Sequence, residues 1–345
     1  MRAKRLIPAL FIVAVAVGGC QSCQSTSGSG AAKEDMQLVP KESDVVFMAN
    51  LSRMRNTAMW RKLLDLRDQD VQSKKDYDEF VQKCGLDPMK QIDSAFVALP
   101  QTVDQSKEFA VILRGTFNEQ KLVECAKDQA KKDNQELQLS DYNGHKLYTS
   151  AKSGQAYATF LDGKTVALGG KEWIKKVIDL ATKKEPGQSA KDNADLNALL
   201  KRAKTGDAVW GAGLVPQATR DQLKGTPQLS AAGSMKDIFG SIDFASGFAA
   251  DLNVDLGNAE DASELATKVK AQIDDAKKAP QLMMLGLNSI LENVKIESKA
   301  NTFHTSMNLN QQQFDDIITR IKGFLANLRG SLGGGMGGMP SPPTQ

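Results

Sequence analysis

The four cysteines and two histidines are the residues best suited to chemistry in this 345-residue sequence. Cys20 and Cys23 have the Cys-x-x-Cys spacing of redox and metal sites, but they lie among serine, glycine and glutamine rather than in a βαβ unit. Cys84 and Cys125 each border the apolar stripe of a predicted helix. For this pair we consider two alternatives, a disulfide in an exported protein or two buried free thiols.

The two histidines lack the neighbours that catalysis or metal binding requires. His145 follows a predicted turn, and His304 lies on the polar side of a predicted strand. Neither has a Cys, Asp or Glu at the spacing of a metal site or a catalytic triad. The sequence contains neither Gly-x-Ser-x-Gly nor His-Glu-x-x-His. We therefore predict no catalytic residue, no metal site and no cofactor.

Two partial motifs have simpler explanations than ligand binding. Asp162-Gly163-Lys164-Thr165 resembles the end of a phosphate loop, but the loop's first glycine is missing. A hairpin turn in which Asp162-Gly163 supplies the positive φ accounts for these residues. Asp251, Asn253 and Asp255 imitate the start of an EF-hand, but the Gly and Glu required later in that loop are absent. In a strand these three oxygens would share one solvent-facing side.

The N-terminal residues have the pattern of a targeting signal. Met1–Arg5 is basic, and Leu6–Val17 is a run of twelve residues, apolar but for a proline. A run of that length suits a signal peptide and is shorter than the ~20 residues that a membrane-spanning helix needs. Val17-Gly18-Gly19-Cys20 follows, so we expect cleavage between Gly19 and Cys20. An ordinary secretory signal with a cysteine near the cut is the alternative.

This stretch resembles the lipobox of bacterial lipoprotein precursors, in which an aliphatic residue and two small residues precede cysteine. The resemblance implies that Cys20 carries a thioether-linked diacylglycerol and that its new amino group is acylated, with palmitate as the expected chain. Several acyl chains on one residue would anchor the protein stably in a membrane. Gln21 and Ser22 replace the Asp of an inner-membrane retention signal, which favours the outer membrane, facing the periplasm. Cys23 could be acylated, disulfide-bonded or free.

Charge and composition argue against a nucleic-acid partner. The chain is 41% hydrophobic and 25% charged, which is typical of a globular protein with an aliphatic core. Its net charge of +3 comes from 44 Lys+Arg and 41 Asp+Glu. Three of the cations, Arg2, Lys4 and Arg5, precede Cys20, and that segment contains no acid. Cleavage leaves 41 of each sign, so the basic excess belongs to the signal.

The body contains two copies of one sequence pattern. Residues 43–51 match 206–214, each as a strand that follows an acidic residue. Residues 109–115 match 248–257, and in each copy an Asn, Asn118 or Asn258, caps the helix that follows. We therefore predict an α+β fold of two similar lobes, each a mainly antiparallel sheet packed against helices, that arose by internal duplication.

The predicted organisation divides the chain into six parts. We expect the two α+β repeats to form two similar lobes packed together, although the sequence leaves open whether they share one sheet. The parts are a signal peptide (1–19), a flexible tether (20–36), the first repeat (37–182), a connector (183–204), the second repeat (205–328) and a disordered Gly/Met/Pro tail (329–345).

The body is also loosely similar to uncharacterised bacterial envelope lipoproteins, through the Gly-Leu-Asp-Pro-x-x-x-Ile-Asp stretch at Gly85–Asp93. That resemblance implies no particular activity. We expect a non-enzymatic, membrane-anchored protein that binds an envelope protein or component. A carrier of lipid or another apolar ligand is the alternative, with the Met-rich segment Gln281–Leu291 as lining or as core. An unrecognised hydrolase ranks third.

Overall fold

Twelve strands and the helices between them form the described part of this protein. The structure, a computed structural model, describes residues 33–100, 108–150, 156–183, 186–225, 227–284, 286, 288–320 and 323. The strands are β1 (Val45–Asn50), β2 (Ile92–Leu99), β3 (Ala110–Gly115), β4 (Leu137–Tyr142), β5 (His145–Ser150), β6 (Tyr157–Asp162), β7 (Thr165–Gly169), β8 (Val209–Leu214), β9 (Asp237–Asp243), β10 (Gly247–Asp255), β11 (Val294–Lys299) and β12 (Thr302–Asn310).

Helices fill the connections between these strands. They are α1 (Leu51–Met54), α2 (Ala58–Gln69), α3 (Val71–Cys84), α4 (Pro88–Gln91), α5 (Glu119–Lys132), α6 (Lys171–Ala181), α7 (Ala194–Leu200), α8 (Gln217–Lys224), α9 (Ala259–Ala276), α10 (Pro280–Met284), α11 (Asn288–Leu291) and α12 (311–320). Two 3₁₀ helices, Ala190–Asp192 and Pro227–Ser234, complete the described elements. Among the described residues, no helix is both long and apolar enough to cross a membrane.

All twelve strands belong to one sheet, in the order β11-β12-β10-β9-β8-β1-β2-β3-β7-β6-β5-β4. The pairings between them are antiparallel throughout the described chain. The two halves meet where β1 pairs with β8, which we call the seam. Outward from the seam the order is β1-β2-β3-β7-β6 on one side and β8-β9-β10-β12-β11 on the other. The first half adds the β4–β5 hairpin at its end.

One side of the sheet, which we call the front face, carries the largest core. Side chains alternate across a strand, so Val46 and Met48 of β1 share this face with Phe96 of β2 and Trp210 of β8. All four are buried, and the rings of Phe96 and Trp210 meet edge to face at 6.1 Å. Helix α6 covers this face of the first half with Trp173, Ile174, Val177 and Ile178.

The opposite side, which we call the back face, is covered by separate groups of helices. In the first half α5 contributes Leu122 to a small cluster with Phe117 and Val166. In the second half α9 and α12 cover the sheet through Leu265 and Phe314. On the front face of β10 and β12, by contrast, the side chains are polar.

The first described residues form a strap across the front face. This N-terminal strap, residues 33–44, buries Met36 and Val39 in the front-face core. The connector holds it in place, because the Ala190 N–H donates to the Val39 carbonyl (2.8 Å) and the Lys41 N–H donates to the Gln188 carbonyl (2.8 Å). The connector therefore packs as part of the core.

These observations answer one open question about domain organisation and change one expected boundary. We expected two similar lobes and left open whether they share one sheet; β1 and β8 pair across the seam into a single sheet, and the front-face core contains residues of both halves. We expected the tether to extend to residue 36, but Asp35 and Met36 are buried. The mixed α+β class with antiparallel strands is confirmed. The signal peptide, residues 20–32 and the tail 329–345 lie outside the described residues.

Candidate functional site

A row of small and apolar residues crosses the back face at the seam. Phe47 of β1 pairs with Gly211 of β8, Gly211 pairs with Gly240 of β9, and Gly240 pairs with Leu252 of β10. Neighbouring strands are about 4.8 Å apart, so Phe47 and Leu252 stand roughly 14 Å from each other across the two glycines. We call this row, together with Ile238 of β9, the seam groove.

The glycines of the groove are required by close packing above and around them. A Cβ atom at Gly211 would lie 2.6 Å from Cδ1 of Phe47, because the ring leans over that glycine. A Cβ at Gly240 would lie 2.4 Å from the carbonyl oxygen of Asp251. Glycine within a strand often marks a place where another group approaches the backbone closely. Here the Phe47 ring covers Gly211, and Gly240 leaves the floor next to Leu252 without a side chain.

Three large apolar side chains in the walls of the groove are exposed to an unusual degree. Phe47 is 48% exposed, and Ile238 and Leu252 are each 38% exposed. On β10 the neighbours of Leu252 on the same face are both buried, Ala250 beneath the cluster of Phe248 and Phe314, and Val254 beneath that of α9. The helices therefore cover both ends of the back face in the second half and leave its middle row open.

A charged cleft of about 530 Å³ opens at the seam, where β1 ends and β2 begins. Its charged lining residues are Glu34, Arg53, Asp93, Arg114 and Lys164. Arg53 Nε donates to Asp243 (2.9 Å), and Arg114 Nε donates to Asp35 (2.7 Å). Most of the cationic groups in the cleft are thus already bonded to carboxylates of the same chain.

Asp35, beneath this cleft, is the least accessible acid of the strap. Its side chain is 1% exposed, and its Oδ2 has no hydrogen-bond partner among the described residues. Burial raises the pKa of Asp35, and the ion pair with Arg114 only partly offsets that effect. Ionisation of this carboxyl therefore weakens the docking of the strap.

A second, smaller cleft of about 350 Å³ lies between the strap and α6. Glu42, Lys176, Leu180, Pro186 and Gln188 line it, and Lys176 bonds to Glu42 at 2.6 Å. Neither of these two clefts is an enclosed apolar cavity. A carried lipid normally occupies an apolar cavity of ~300–1,000 Å³.

The acidic motif of β10 uses its oxygens within the chain. Asp251, Asn253 and Asp255 share one face, as the sequence predicted, but Asp255 is buried and not solvent-facing. It accepts hydrogen bonds from Arg202 and from Thr302. Asp251 accepts from His304 Nε2 at 2.9 Å and bonds to Lys204 at 3.1 Å. In the described chain, no three His, Cys, Asp or Glu side chains are arranged to hold a metal ion.

The pKa values of these two acids follow from their partners. Burial opposes the ionisation of Asp251, but the hydrogen bonds from His304 and Lys204 outweigh burial and lower its pKa. The pKa of Asp255 is lowered in the same way, chiefly by Arg202. Both acids are therefore ionised and paired near neutral pH, which is the arrangement of a structural ion-pair network.

The remaining polar residues singled out in the sequence have structural partners. His145 starts β5 and contacts the carbonyl of Phe160 at 3.3 Å. Asp162 accepts a hydrogen bond from the N–H of Lys164 (2.7 Å) and so closes the β6–β7 turn. No hydrogen bond joins His304 to Ser306, its neighbour on the same face, in the part of the chain that the structure describes.

Cys84 and Cys125 are joined by a disulfide, with their Cα atoms 4.9 Å apart. Of the two alternatives, the structure therefore contains the bonded pair. The bond connects the end of α3 to the middle of α5 on the back face. Cys20 and Gly19, the predicted lipid-attachment and cleavage residues, lie outside the described residues, as does Cys23.

The seam groove was not among the sites predicted from sequence. Its signal was present in the strand Val209–Leu214, where Gly211 and Gly213 interrupt an apolar run. We had interpreted those positions only as repeat matches. The pairing that places Phe47 against Gly211 joins residues more than 160 positions apart, so no local pattern encodes it.

Comparison with known proteins gives a distant structural likeness. No family model and no curated relative matches the sequence. The chain is similar to crystal form III of TP0453 (TM-score 0.45, 13% identity, 82% of this chain and 96% of that chain). Crystal form I gives a TM-score of 0.42 at 12% identity, covering 82% of this chain and 95% of that chain, and crystal form IV 0.42 at 10%, covering 84% and 99%. Scores at this level support no inference about function.

Proposed function

We propose that this protein is a lipid-anchored, non-enzymatic binding protein of a bacterial cell envelope, which holds an apolar segment of a partner protein in the seam groove. The anchor is Cys20, acylated in the outer membrane and facing the periplasm. The lipobox pattern supports the anchor, and the Cys84–Cys125 disulfide is consistent with an oxidising compartment outside the cytoplasm.

The observation that carries the proposal is the exposure of Phe47, Ile238 and Leu252 around a glycine floor. Scattered apolar residues on a surface need no explanation, but a contiguous patch marks an interaction site. Aromatic side chains are enriched at the energetic centres of protein interfaces. The row spans roughly 14 Å from the backbone of β1 to that of β10, so beside the Phe47 ring it accommodates one extended apolar segment of a partner.

The polar clusters support a binding role over a catalytic one. A catalytic centre needs a nucleophile or a base whose hydrogen bonds are directed at a substrate. The carboxylates of the front face are instead bonded to Arg202, Lys204 and His304. The seam groove itself is lined by groups that do not titrate.

We also infer that the two halves arose by internal duplication. The outward strand order from the seam is the same on both sides, and helices α5 and α9 follow corresponding strands. Duplication explains why the groove lies at the seam, because only there do equivalent strands, β1 and β8, pair with each other.

The groove is tested by photo-crosslinking in the cells that make the protein. A photoreactive phenylalanine at position 47 should form an adduct with one envelope protein, and Leu252→Glu on the opposite wall should abolish it. The matched control is position 71, because Val71 is 81% exposed but lies at the start of α3. Absence of an adduct at 47, or an adduct that persists with Leu252→Glu, would refute the groove.

The carrier alternative and the anchor are tested separately. Native mass spectrometry of the purified mature chain should give the mass of the protein without a second, noncovalent lipid. A bound lipid that is lost with Leu252→Glu would show that the groove holds a carried lipid and not a partner protein. Metabolic labelling with a fatty-acid analogue should label the wild type and not Cys20→Ala, and an unlabelled wild type would exclude the anchor.

A further inference from the structure

The two ends of the sheet differ in how they are protected. At one end, β11 alternates Lys295, Glu297 and Lys299 along its length. Charged side chains, lysine above all, are a common device that prevents an edge strand from pairing with another chain. At the other end, β4 (Leu137–Tyr142) contains no lysine or arginine, and Leu139 at its middle is 57% exposed.

The turn after β4 determines which of its backbone groups remain open. Asn143 and Gly144 both have positive φ, 48° and 82°, as a two-residue hairpin turn of type I′ requires. The residues that flank such a turn, Tyr142 and His145, exchange both backbone hydrogen bonds, and every second pair along the hairpin does the same. The N–H and C=O groups of Leu137, Leu139 and Asp141 therefore point away from β5, toward the open edge.

We propose that β4 pairs antiparallel with β4 of a second copy of this chain, around a two-fold axis through Leu139. In that register Leu139 stands opposite its own counterpart, and Leu137 stands opposite Asp141. Two half-exposed leucines then bury each other on the back face, and no carboxylate faces another. The two copies share one continuous sheet.

The side chains of β4 favour a second copy over an unrelated strand. Self-pairing places the exposed Leu139 against an equal apolar side chain and places Asp141, the one charged residue of β4, opposite Leu137 and away from its counterpart. An isologous contact of this kind closes at two copies and leaves no further open edge of the same type. β4 is six strands from β1, so the pairing leaves the seam groove accessible and does not depend on the proposed function.

The register is tested by disulfide trapping in the full mature chain with Cys20→Ser and Cys23→Ser. An antiparallel hydrogen-bonded pair places its Cα atoms about 5.5 Å apart, within the range that a disulfide spans. Leu139→Cys should therefore give a covalent dimer on mild oxidation. Gln138→Cys or Ser140→Cys alone should not, but a mixture of these two variants should, because positions 138 and 140 face each other.

The dimer itself is tested by sedimentation velocity over a concentration series. The parent chain should dimerise, and Leu139→Lys should be monomeric and should unfold at the midpoint of the parent chain measured at a concentration too low for dimerisation, because the side chain is exposed in the single chain. A parent chain that is monomeric throughout the series, a dimer that persists with Leu139→Lys, or crosslinking of equal yield at 138, 139 and 140 would overturn the proposal. Exclusive trapping of a different protein at position 139 would do so as well.

Discussion

Removal of the disulfide between Cys84 and Cys125 should cost several kcal/mol of stability. The bond joins residues 41 positions apart. Closing a loop of that length in the unfolded chain corresponds to about 4 kcal/mol at 25 °C, and measured losses typically fall between ~2 and ~4 kcal/mol. We expect Cys84→Ala/Cys125→Ala to lose about 3 kcal/mol of unfolding free energy, a large share of the total for a domain of ordinary stability.

The loss should be concentrated in the helices that the bond connects. Cys84 is the buried residue of α3, and α5 has none, so few other contacts hold these two helices against the sheet. One of them is Leu122 of α5, which packs on the cluster that contains Val166 of β7. The guanidinium of Arg67, 4.4 Å from the ring centroid of Tyr77, joins α3 only to α2. Without the disulfide, amide hydrogen exchange should accelerate in α3 and α5 well before it does in β1 or β8.

The measurement is denaturant unfolding in a background of Cys20→Ser and Cys23→Ser. A reductant should destabilise the parent chain by the same amount as the double substitution, and it should have no effect on the double variant. The slope of free energy against denaturant should rise, because the unfolded chain is no longer crosslinked. A loss below about 1 kcal/mol, or a reductant effect that persists in the double variant, would refute this account.

Three further perturbations test the packing. Trp210→Ala, at a fully buried position of the front-face core, should cost about 3–5 kcal/mol in denaturant unfolding, and a loss below that range would mean that the seam is loosely packed. Gly240→Ala should also destabilise, because its Cβ would meet the Asp251 carbonyl, and an unchanged melting temperature would contradict the close approach. Asp35 has a folded-state pKa raised above its ordinary 3.8, so the stability it contributes is complete below 3.8 and is lost as pH rises through the raised value. Relative to Asp35→Asn, the wild type should therefore gain stability as pH falls from 7 toward 4, and parallel pH profiles would contradict the burial of that carboxyl.

Individual strands and helix caps could be predicted from the sequence. The strands at 45–50 and 209–214 were expected, and Asn118 and Asn258 cap α5 and α9 by accepting hydrogen bonds from the N–H groups of Lys121 and Asp261. These features depend on short-range periodicity and on capping, which a single sequence displays directly.

The hairpin turn between β6 and β7 shows where local reasoning was wrong. We expected Asp162-Gly163 to form the turn with positive φ. The turn is instead Gly163-Lys164, flanked by the pair Asp162 and Thr165, and Gly163 is not among the residues with positive φ. An irregularity in the pairing between Phe160 and Asp162 shifts the register by one residue, and the Asp162 side chain fixes the result by accepting from the Lys164 N–H.

The joining of the halves could not be predicted, for a physical reason. The sequence pattern of β1 is satisfied by any antiparallel partner that places Val46 and Met48 on an apolar face. β8 is the partner of β1 because Trp210 fills the same core layer as Phe96. Whether two side chains so far apart in sequence fill one layer depends on their combined volume, which no local pattern shows. The candidate site depends on that pairing, so it could not be predicted from the sequence either.

The N-terminal strap has a consequence for how the molecule stands on a membrane. Twelve residues lie between Cys20 and Lys33, and the thirteen steps from one to the other reach roughly 45 Å when fully extended. The strap enters on the front face, beside the charged cleft that Glu34 lines, whereas the seam groove opens on the back face. The proposed anchor at Cys20 would thus be joined to the sheet on its front face, and a tether of that length leaves room for the groove on the back face to turn away from the bilayer. The sheet would then stand between lipid and partner, and the length of the tether would limit how far the groove can lie above the membrane.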